Sequence, residues 1–280
     1  MQTDKMKLSF STLGCPNYNM DEIIEMAVKN NYQGVEIRAV SGTVQISGLD
    51  EFKGSGLAET AKKLKNAGLE VACLGTSIGF SKADAEHQKK NLEDAKVNME
   101  IANALDCKYI RTFGGPLPPT QGFVESLKWI KEGYQKLCDL VNGAGILPLL
   151  ETHDDFSTSA RIKEVIDGVP NGKIGVVWDI VHSVRFGEAP EVTYNTLKDY
   201  IYHTHIKDSL EFSPSGTDFP LTGEGKIPIA ECLSLLSAGG YDGYYSFEWE
   251  KLWHPEIPGP EVAIPHFAEN IHRIASKSGV

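Results

Sequence analysis

The sequence predicts an α/β fold of the (β/α)8 barrel class, a TIM barrel, in a single domain over residues 1–280, and three observations predict it. Short apolar runs rich in β-branched and aromatic residues alternate with amphipathic stretches from end to end, giving eight candidate strands. Links from strand to helix are long, at Val40 to Gly56, Gly75 to Asp84, Thr112 to Gly122 and Ser209 to Ile227, whereas the return links are brief. The length of 280 residues suits a closed barrel, which runs to about 250 residues as one domain, better than an open doubly wound sheet of about six strands.

Taken in order, the strand segments are KLSFSTLG from Lys7, GVEIRAV from Gly34, LEVACLG from Leu69, KYIRTFGG from Lys108, ILPLLETH from Ile146, IGVVWDIVHS from Ile174, YIYHTHIKD from Tyr200 and YYSFEWE from Tyr244. Between and after them DEIIEMAVKNN, AETAKKLKNAG, AEHQKKNLEDAKVNMEIANAL, VESLKWIKEGYQKLCDLVNGAG, IPIAECLSLLSAGG and EVAIPHFAENIHRIASK carry apolar residues at helical spacing. Several of these stop at Asn or Gly, as at Asn66 to Gly68, Asn142 to Gly145 and Gly239 to Gly240, where a helix end needs a left-handed residue. Parallel strands joined by right-handed crossovers put the long strand-to-helix loops together at the carboxyl end, where a barrel builds its active site.

Charge and composition exclude several functions. The 38 acidic and 27 basic residues give a formal charge of −11, which argues against a nucleic-acid partner. No uncharged apolar run reaches the roughly 18 residues that span a bilayer, and MQTDKMKLSF has no apolar leader, so no membrane partner is expected. Cys15, Cys73, Cys107, Cys138 and Cys232 are scattered without CxxC spacing and read as reduced core thiols of a cytoplasmic protein. Walker, GxGxxG and GxSxG motifs are missing, which leaves nucleotide-dependent and serine-hydrolase chemistry without support.

The informative residues are polar ones on strand faces that should line the barrel. Alternation sends residues two apart inward together. Glu36 and Arg38 share a face of the second strand and Arg111 lies on the fourth. Glu151 and His153 share the fifth, Asp179 ends the sixth with His182 three positions on, His203, His205 and Lys207 share the seventh, and Ser246, Glu248 and Glu250 the eighth. Burying so many ionisable groups unpartnered would cost several kcal/mol each, so they neutralise one another, stay wet or bind a metal. Glu151, Asp179, His205 and Glu248, from four successive strands, form an oxygen-rich donor set suited to Mn²⁺, Mg²⁺ or Co²⁺, and less typically Zn²⁺. Glu250 rivals Glu248, because alternation does not separate two residues on one face. Each residue also has a plainer reading: a lone Glu at a strand end is commonly an ion-pair partner, Glu36 pairs with Arg38 or touches substrate, and His182 and His203 sit as satisfied core histidines.

At GVEIR, LLETHDDF, VVWDIVHS, HTHIKDS, LTGEGKIPI and YYSFEWEKLWHPEIPGPEVAIP the sequence resembles the sugar phosphate isomerase/epimerase family of xylose isomerase-like TIM barrels, over nearly its whole length. The resemblance implies that Glu151, Asp179, His205 and Glu248 take the metal-ligand positions. It places His182 just after the ligand aspartate, and His153, Lys207 and Arg111 where relatives contact substrate. It also implies a sugar-like small-molecule substrate and a homodimer or homotetramer. Where ketose epimerases carry an arginine shortly after the seventh-strand histidine, this chain reads HIKDSLEF.

The chemistry expected of such a site is proton transfer beside a Lewis acid. Glu151 and Glu248, on opposite sides of a chelated hydroxy-ketone, exchange a proton as base and acid through an enediolate, giving epimerisation or isomerisation. His182 and Lys207 orient or polarise oxygens, while His153, Arg111 and Glu36 bind substrate groups. The same enolate expelling a β-hydroxyl makes the alternative a dehydratase, a lyase of the dehydroshikimate or inosose type. A third reading is a barrel that binds a polyol without turning it over.

Overall fold

The computed structural model describes residues 6–170, 173–213 and 218–277. The amino-terminal MQTDK and residues 214–217 of the Ser209-to-Ile227 loop lie outside the described residues. Eight parallel strands close in sequence order: β1 (Lys7–Ser11), β2 (Gly34–Ile37), β3 (Glu70–Gly79), β4 (Tyr109–Phe113), β5 (Leu147–Glu151), β6 (Gly175–Asp179), β7 (Ile201–Ile206) and β8 (Tyr244–Phe247), with β8 pairing β1. Around them lie α1 (Met20–Lys29), α2 (Gly54–Asn66), α3 (Ala85–Ala104), α4 (Phe123–Val141), α5 (Ser159–Asp167), α6 (Ile180–Arg185), α7 (Pro190–Leu197), α8 (Ile229–Ala238) and α9 (Pro260–Lys277). The expected (β/α)8 barrel is the observed one.

Local chemistry explains the boundaries. Asn19 caps α1 by accepting from the Asp21 and Glu22 N–H groups, and Glu22 answers by accepting from the Asn19 N–H. Even-numbered residues of β1 and odd-numbered residues of β2 face the helices, so Phe10, Val35 and Ile37 are fully buried in the main core. On the last strand Phe247 stacks on Phe267 of α9, and Trp249 stacks on Phe247 and donates to the Pro258 carbonyl. A smaller apolar cluster of Cys73, Leu149 and Val177 fills the barrel interior, with Tyr109 and Leu147 against it. All five cysteines are buried and unbridged.

Two expectations need correction. The third strand runs on to Gly79, so Gly75 and Ser77 belong to the barrel wall and the loop after them is shorter than the spacing suggested. Pairing with β4, a register shift between Gly75 and Gly79, and a bond from Thr76 Oγ1 to the Arg111 carbonyl hold this weakly strand-like stretch extended. The link after β2 is structured too, with 3-10 turns at Ile46–Gly48 and Asp50–Phe52, and α2 starts at Gly54.

The long loop after β7 is tied down by one carboxylate. Asp208 accepts backbone N–H bonds from Ser209 (2.8 Å), Gly223 (2.8 Å), Gly225 (2.9 Å) and Ile227 (3.1 Å). A side chain at Gly225 would collide with that carboxylate, so glycine is required there. Bonds to a charged acceptor are each worth about 1.5–3 kcal/mol when buried. Asp208→Ala should therefore lower the unfolding free energy by about 3 kcal/mol, seen as an earlier urea midpoint at unchanged slope; an unshifted midpoint would show that the clasp contributes nothing.

Candidate metal centre

Register at the carboxyl end of the barrel decides which polar groups meet. Glu151 and Asp179 close β5 and β6, and Asp179 pairs with His205 on β7. Glu248 follows β8 immediately, its N–H donating to the Ile206 carbonyl. One ligand atom from each of Glu151, Asp179, His205 and Glu248 can be chosen so that all lie within 4.8 Å of one another. Glu151, Asp179 and His205 are fully buried and Glu248 nearly so. Glu250 stays outside this group, facing Lys207 Nζ at 2.8 Å and His254 Nε2 at 3.7 Å.

Each ligand candidate is aimed by a partner. Asp179 spends Oδ1 on the first turn of α6, accepting from Val181 and His182, which leaves Oδ2 turned to the cluster. Thr152 Oγ1 braces the same residue, accepting from its N–H and donating to its carbonyl. His205 Nδ1 lies 2.7 Å from Glu151 Oε1 and 3.3 Å from Glu248 Oε1, while its Nε2 lies 2.8 Å from Glu36 Oε2. Glu36 Oε2 is also 2.8 Å from His203 Nε2. Glu36 is therefore a fully buried support behind His205. Its expected pairing with Arg38 is not found. Glu36 is captured from across the barrel by the two histidines, whereas Arg38, one residue past the strand end, donates from Nη2 to Ser77 Oγ at 2.9 Å.

The remaining expected residues surround the cluster. Arg111 Nη1 donates to Glu151 Oε2 at 3.0 Å and its guanidinium lies over the Phe113 ring. Lys207 is buried and donates to Asp179 Oδ2 at 2.7 Å and to Glu248 Oε2. His182 and His153 stand at the mouth with ring centroids 4.3 Å apart; His182 Nε2 is buried without a hydrogen-bond partner, 3.7 Å from Asp179 Oδ2. His153 Nδ1 lies 3.1 Å from Asp154 Oδ2. Arg38, which the sequence offered only as a partner for Glu36, instead has its side chain beside that of Arg111, across Gly75.

Charge explains the protonation states. Burial works to raise the carboxyls of Glu36, Glu151 and Glu248, but His205 with His203, Arg111 and Lys207 respectively hold all three below their ordinary values. For Asp179 burial and the Glu248 charge outweigh Lys207, and its carboxyl is pushed up to about 6. Burial also opposes charge on His205 and Lys207, yet the surrounding carboxylates hold both cations well above their usual range. His182 is pushed well down by burial and by His153 and Lys207. His153 is raised: burial works against its charge, but the Asp154 carboxylate beside it and the charge of Glu151 prevail.

The donor set fits a divalent cation. Five carboxylates (Glu36, Glu151, Asp179, Glu248 and Glu250) share the barrel end with Arg38, Arg111, Lys207 and the protonated His205, leaving one negative charge in excess, and two once His205 gives up a proton to act as a ligand. Three carboxylates plus one imidazole whose far nitrogen is held by a carboxylate is a hard, oriented first coordination set. A second triad, Glu36, His203 and His205, also converges, but there both imidazoles already share one oxygen of Glu36. A concavity of about 850 Å³ opens at the opposite, amino-terminal end, lined by residues including Lys7, Glu70, Tyr109 and Tyr244. It lies on the face where barrels do not build active sites and, among the described residues, gathers no converging set of metal-ligand side chains.

Comparison with known proteins agrees with the barrel fold and gives the family. The inosose isomerase of Bacillus velezensis is 25% identical over 263 residues, covering 90% of each chain. The fructoselysine 3-epimerase of Escherichia coli O157:H7 is 23% identical, covering 90% of this chain and 93% of its own. Among solved structures, the probable 3-DHS dehydratase AsbF of Bacillus anthracis superposes with a TM-score of 0.78 at 19% identity, covering 97% of this chain and 99% of its own. The IOLI protein with a bound zinc atom superposes at 0.73 with 23% identity, covering 98% and 97%. The sequence profile described as "Xylose isomerase-like TIM barrel" matches residues 24–266. With that match over most of its length, the chain belongs to the family of xylose isomerase-like TIM barrels.

Proposed function

We propose that the protein is a divalent-metal-dependent isomerase or epimerase of a sugar or sugar-derived ketone. The observation that carries this reading is the convergence of Glu151, Asp179, His205 and Glu248, with His205 held from behind by Glu36. Those four residues would hold the ion. When bound, it would supply Lewis-acid chemistry, polarising a substrate carbonyl and accepting negative charge. Mn²⁺, Mg²⁺ and Co²⁺ suit the oxygen-rich set better than Zn²⁺.

The chain's own residues move the proton. Glu151 is kept ionised by Arg111 and His205, and Glu248 by His205 and Lys207, despite their burial. Each is thus in the ionised form that takes a proton from carbon beside a carbonyl; the carboxyl so protonated can hand that proton to the neighbouring carbon, and for delivery to the opposite face the other carboxylate first takes a proton from water while the first releases its own to water. Return to the opposite face of the same carbon inverts it; return to the neighbouring carbon isomerises the ketone. His182, unpartnered at Nε2, and His153 line the mouth and bind substrate oxygens, and Lys207 orients both Asp179 and Glu248. The named activities of the inosose isomerase and fructoselysine 3-epimerase relatives support this class.

His153 favours a second reading. With Asp154 beside it favouring its charged form, it is placed at the mouth to donate a proton to a departing hydroxyl, and loss of water would make the enzyme a lyase like the 3-dehydroshikimate dehydratase relative of Bacillus anthracis. The partner is a small molecule. The acidic charge fits no nucleic-acid role, and no helix among the described residues is long and apolar enough to cross a membrane. Five unbridged thiols suit a cytoplasmic location.

Incubating ketoses and keto acids with the Mn²⁺-loaded protein in heavy water should give deuterium exchange at the carbon beside the carbonyl, read by proton NMR. Glu151→Gln and Glu248→Gln should each slow that exchange by about 10²–10⁴-fold with unchanged circular dichroism. Full exchange in both variants contradicts the assignment. Because Lys207 occupies Asp179 Oδ2 and Glu248 Oε2, Lys207→Met should tighten Mn²⁺ binding by about 10-fold or more in a calorimetric titration. Weaker binding would mean that the ammonium is not in competition with the ion.

A further inference from the structure

Arg38 is 6% exposed, and its Nη1 is buried without a hydrogen-bond partner. Its backbone is fixed at the rim, because the N–H groups of Arg38 and Ala39 both donate to Thr12 Oγ1 at 2.8 and 3.0 Å. Its side chain crosses Gly75: a Cβ there would lie 2.9 Å from Arg38 Cδ and 3.1 Å from Arg111 Nη2. The absent side chain at Gly75 therefore brings two guanidinium side chains together. Arg111 has a carboxylate, Glu151, and still keeps a buried, unpartnered Nε. No carboxylate oxygen of the described residues lies within 4.0 Å of the Arg38 guanidinium, whose only hydrogen-bond partner among them is the Ser77 hydroxyl.

A buried cation beside a second cation, without an anion of its own, is unfavourable unless something else supplies the charge. Its location decides what that is. Gly75 and Ser77 form the barrel wall next to the Glu151 cluster, and Ser77 is exposed. We propose that Arg38, with Arg111 beside it, forms an anion subsite for a carboxylate on the substrate, so that the enzyme acts on a sugar acid or cyclic keto acid and not on a neutral sugar. This deepens the functional reading above and rests on it. The planar fork of a guanidinium matches the two oxygens of a carboxylate. With Arg111 paired to Glu151, Arg38 is the guanidinium left without a direct ion pair, and the carboxylate of a monoanion would supply one.

The test is calorimetric titration of the full chain, Mn²⁺-loaded and metal-stripped, with glycolate, D-glycerate and D-glucuronate and with their uncharged amides. At least one carboxylate should bind about 30-fold tighter than its amide, the scale of a charge-assisted hydrogen bond. Arg38→Gln should reduce that ratio to about 3-fold or less by weakening the carboxylate and sparing the amide, and Arg38→Lys, which keeps the charge and loses the fork, should fall between. Carboxylates no tighter than their amides in the unaltered protein, a preference that survives Arg38→Gln, or inorganic phosphate binding tighter than every carboxylate would each overturn the proposal. Carboxylate preference without solvent-proton exchange would overturn the catalytic reading and leave the subsite. Exchange into neutral ketones without carboxylate preference would do the reverse.

Discussion

Burial of carboxylates at the carboxyl end of the barrel is the constraint on which the site depends. Glu36, Glu151 and Asp179 are removed from water completely, at a cost of several kcal/mol per uncompensated ion. The chain meets that cost with Arg111 on Glu151, Lys207 on Asp179 and Glu248, and two histidines on Glu36. The negative excess that remains is what a divalent cation would neutralise. On the proposed reading, removing any one fixed cation would change metal affinity, carboxylate basicity and local stability together.

The same economy governs the residues around the cluster. His205 joins two layers, presenting Nδ1 to the ligand carboxylates and Nε2 to Glu36. Asp179 divides its oxygens between a helix cap and the cluster, so the start of α6 and the place of the proposed metal site are fixed by one side chain. Since α6 carries His182, the spacing from the mouth to the cluster is set by the three-position step from Asp179 to His182.

Much of this was legible in the sequence because a strand has a period of two and a closed barrel has one inside. That rule placed Glu151, His205 and Glu248 inward, and the β/α alternation gave the barrel and the end at which they meet. It did not separate Glu248 from Glu250, which depends on where β8 stops. Nor did it reveal that Glu36 turns to the histidines of β7 and not to Arg38, since partners 167 and 169 residues apart leave no local trace. The meeting of Arg38 with Arg111 was hidden for a different reason. It depends on an absent side chain, Gly75, in a stretch whose Gly, Thr and Ser read as loop until the pairing with β4 is seen. The Asp208 clasp was likewise invisible, because its partners are backbone groups up to 19 residues away.

The central claim is that the inward carboxylates form a metal site and not merely a neutralised ion-pair network. Crystals soaked in Mn²⁺ and measured at the manganese absorption edge test it most directly. One anomalous peak enclosed by Glu151, Asp179, His205 Nδ1 and Glu248 is expected, with Lys207 withdrawn from Asp179 Oδ2. A peak among Glu36, His203 and His205, or no peak in the barrel at saturating Mn²⁺, would contradict it.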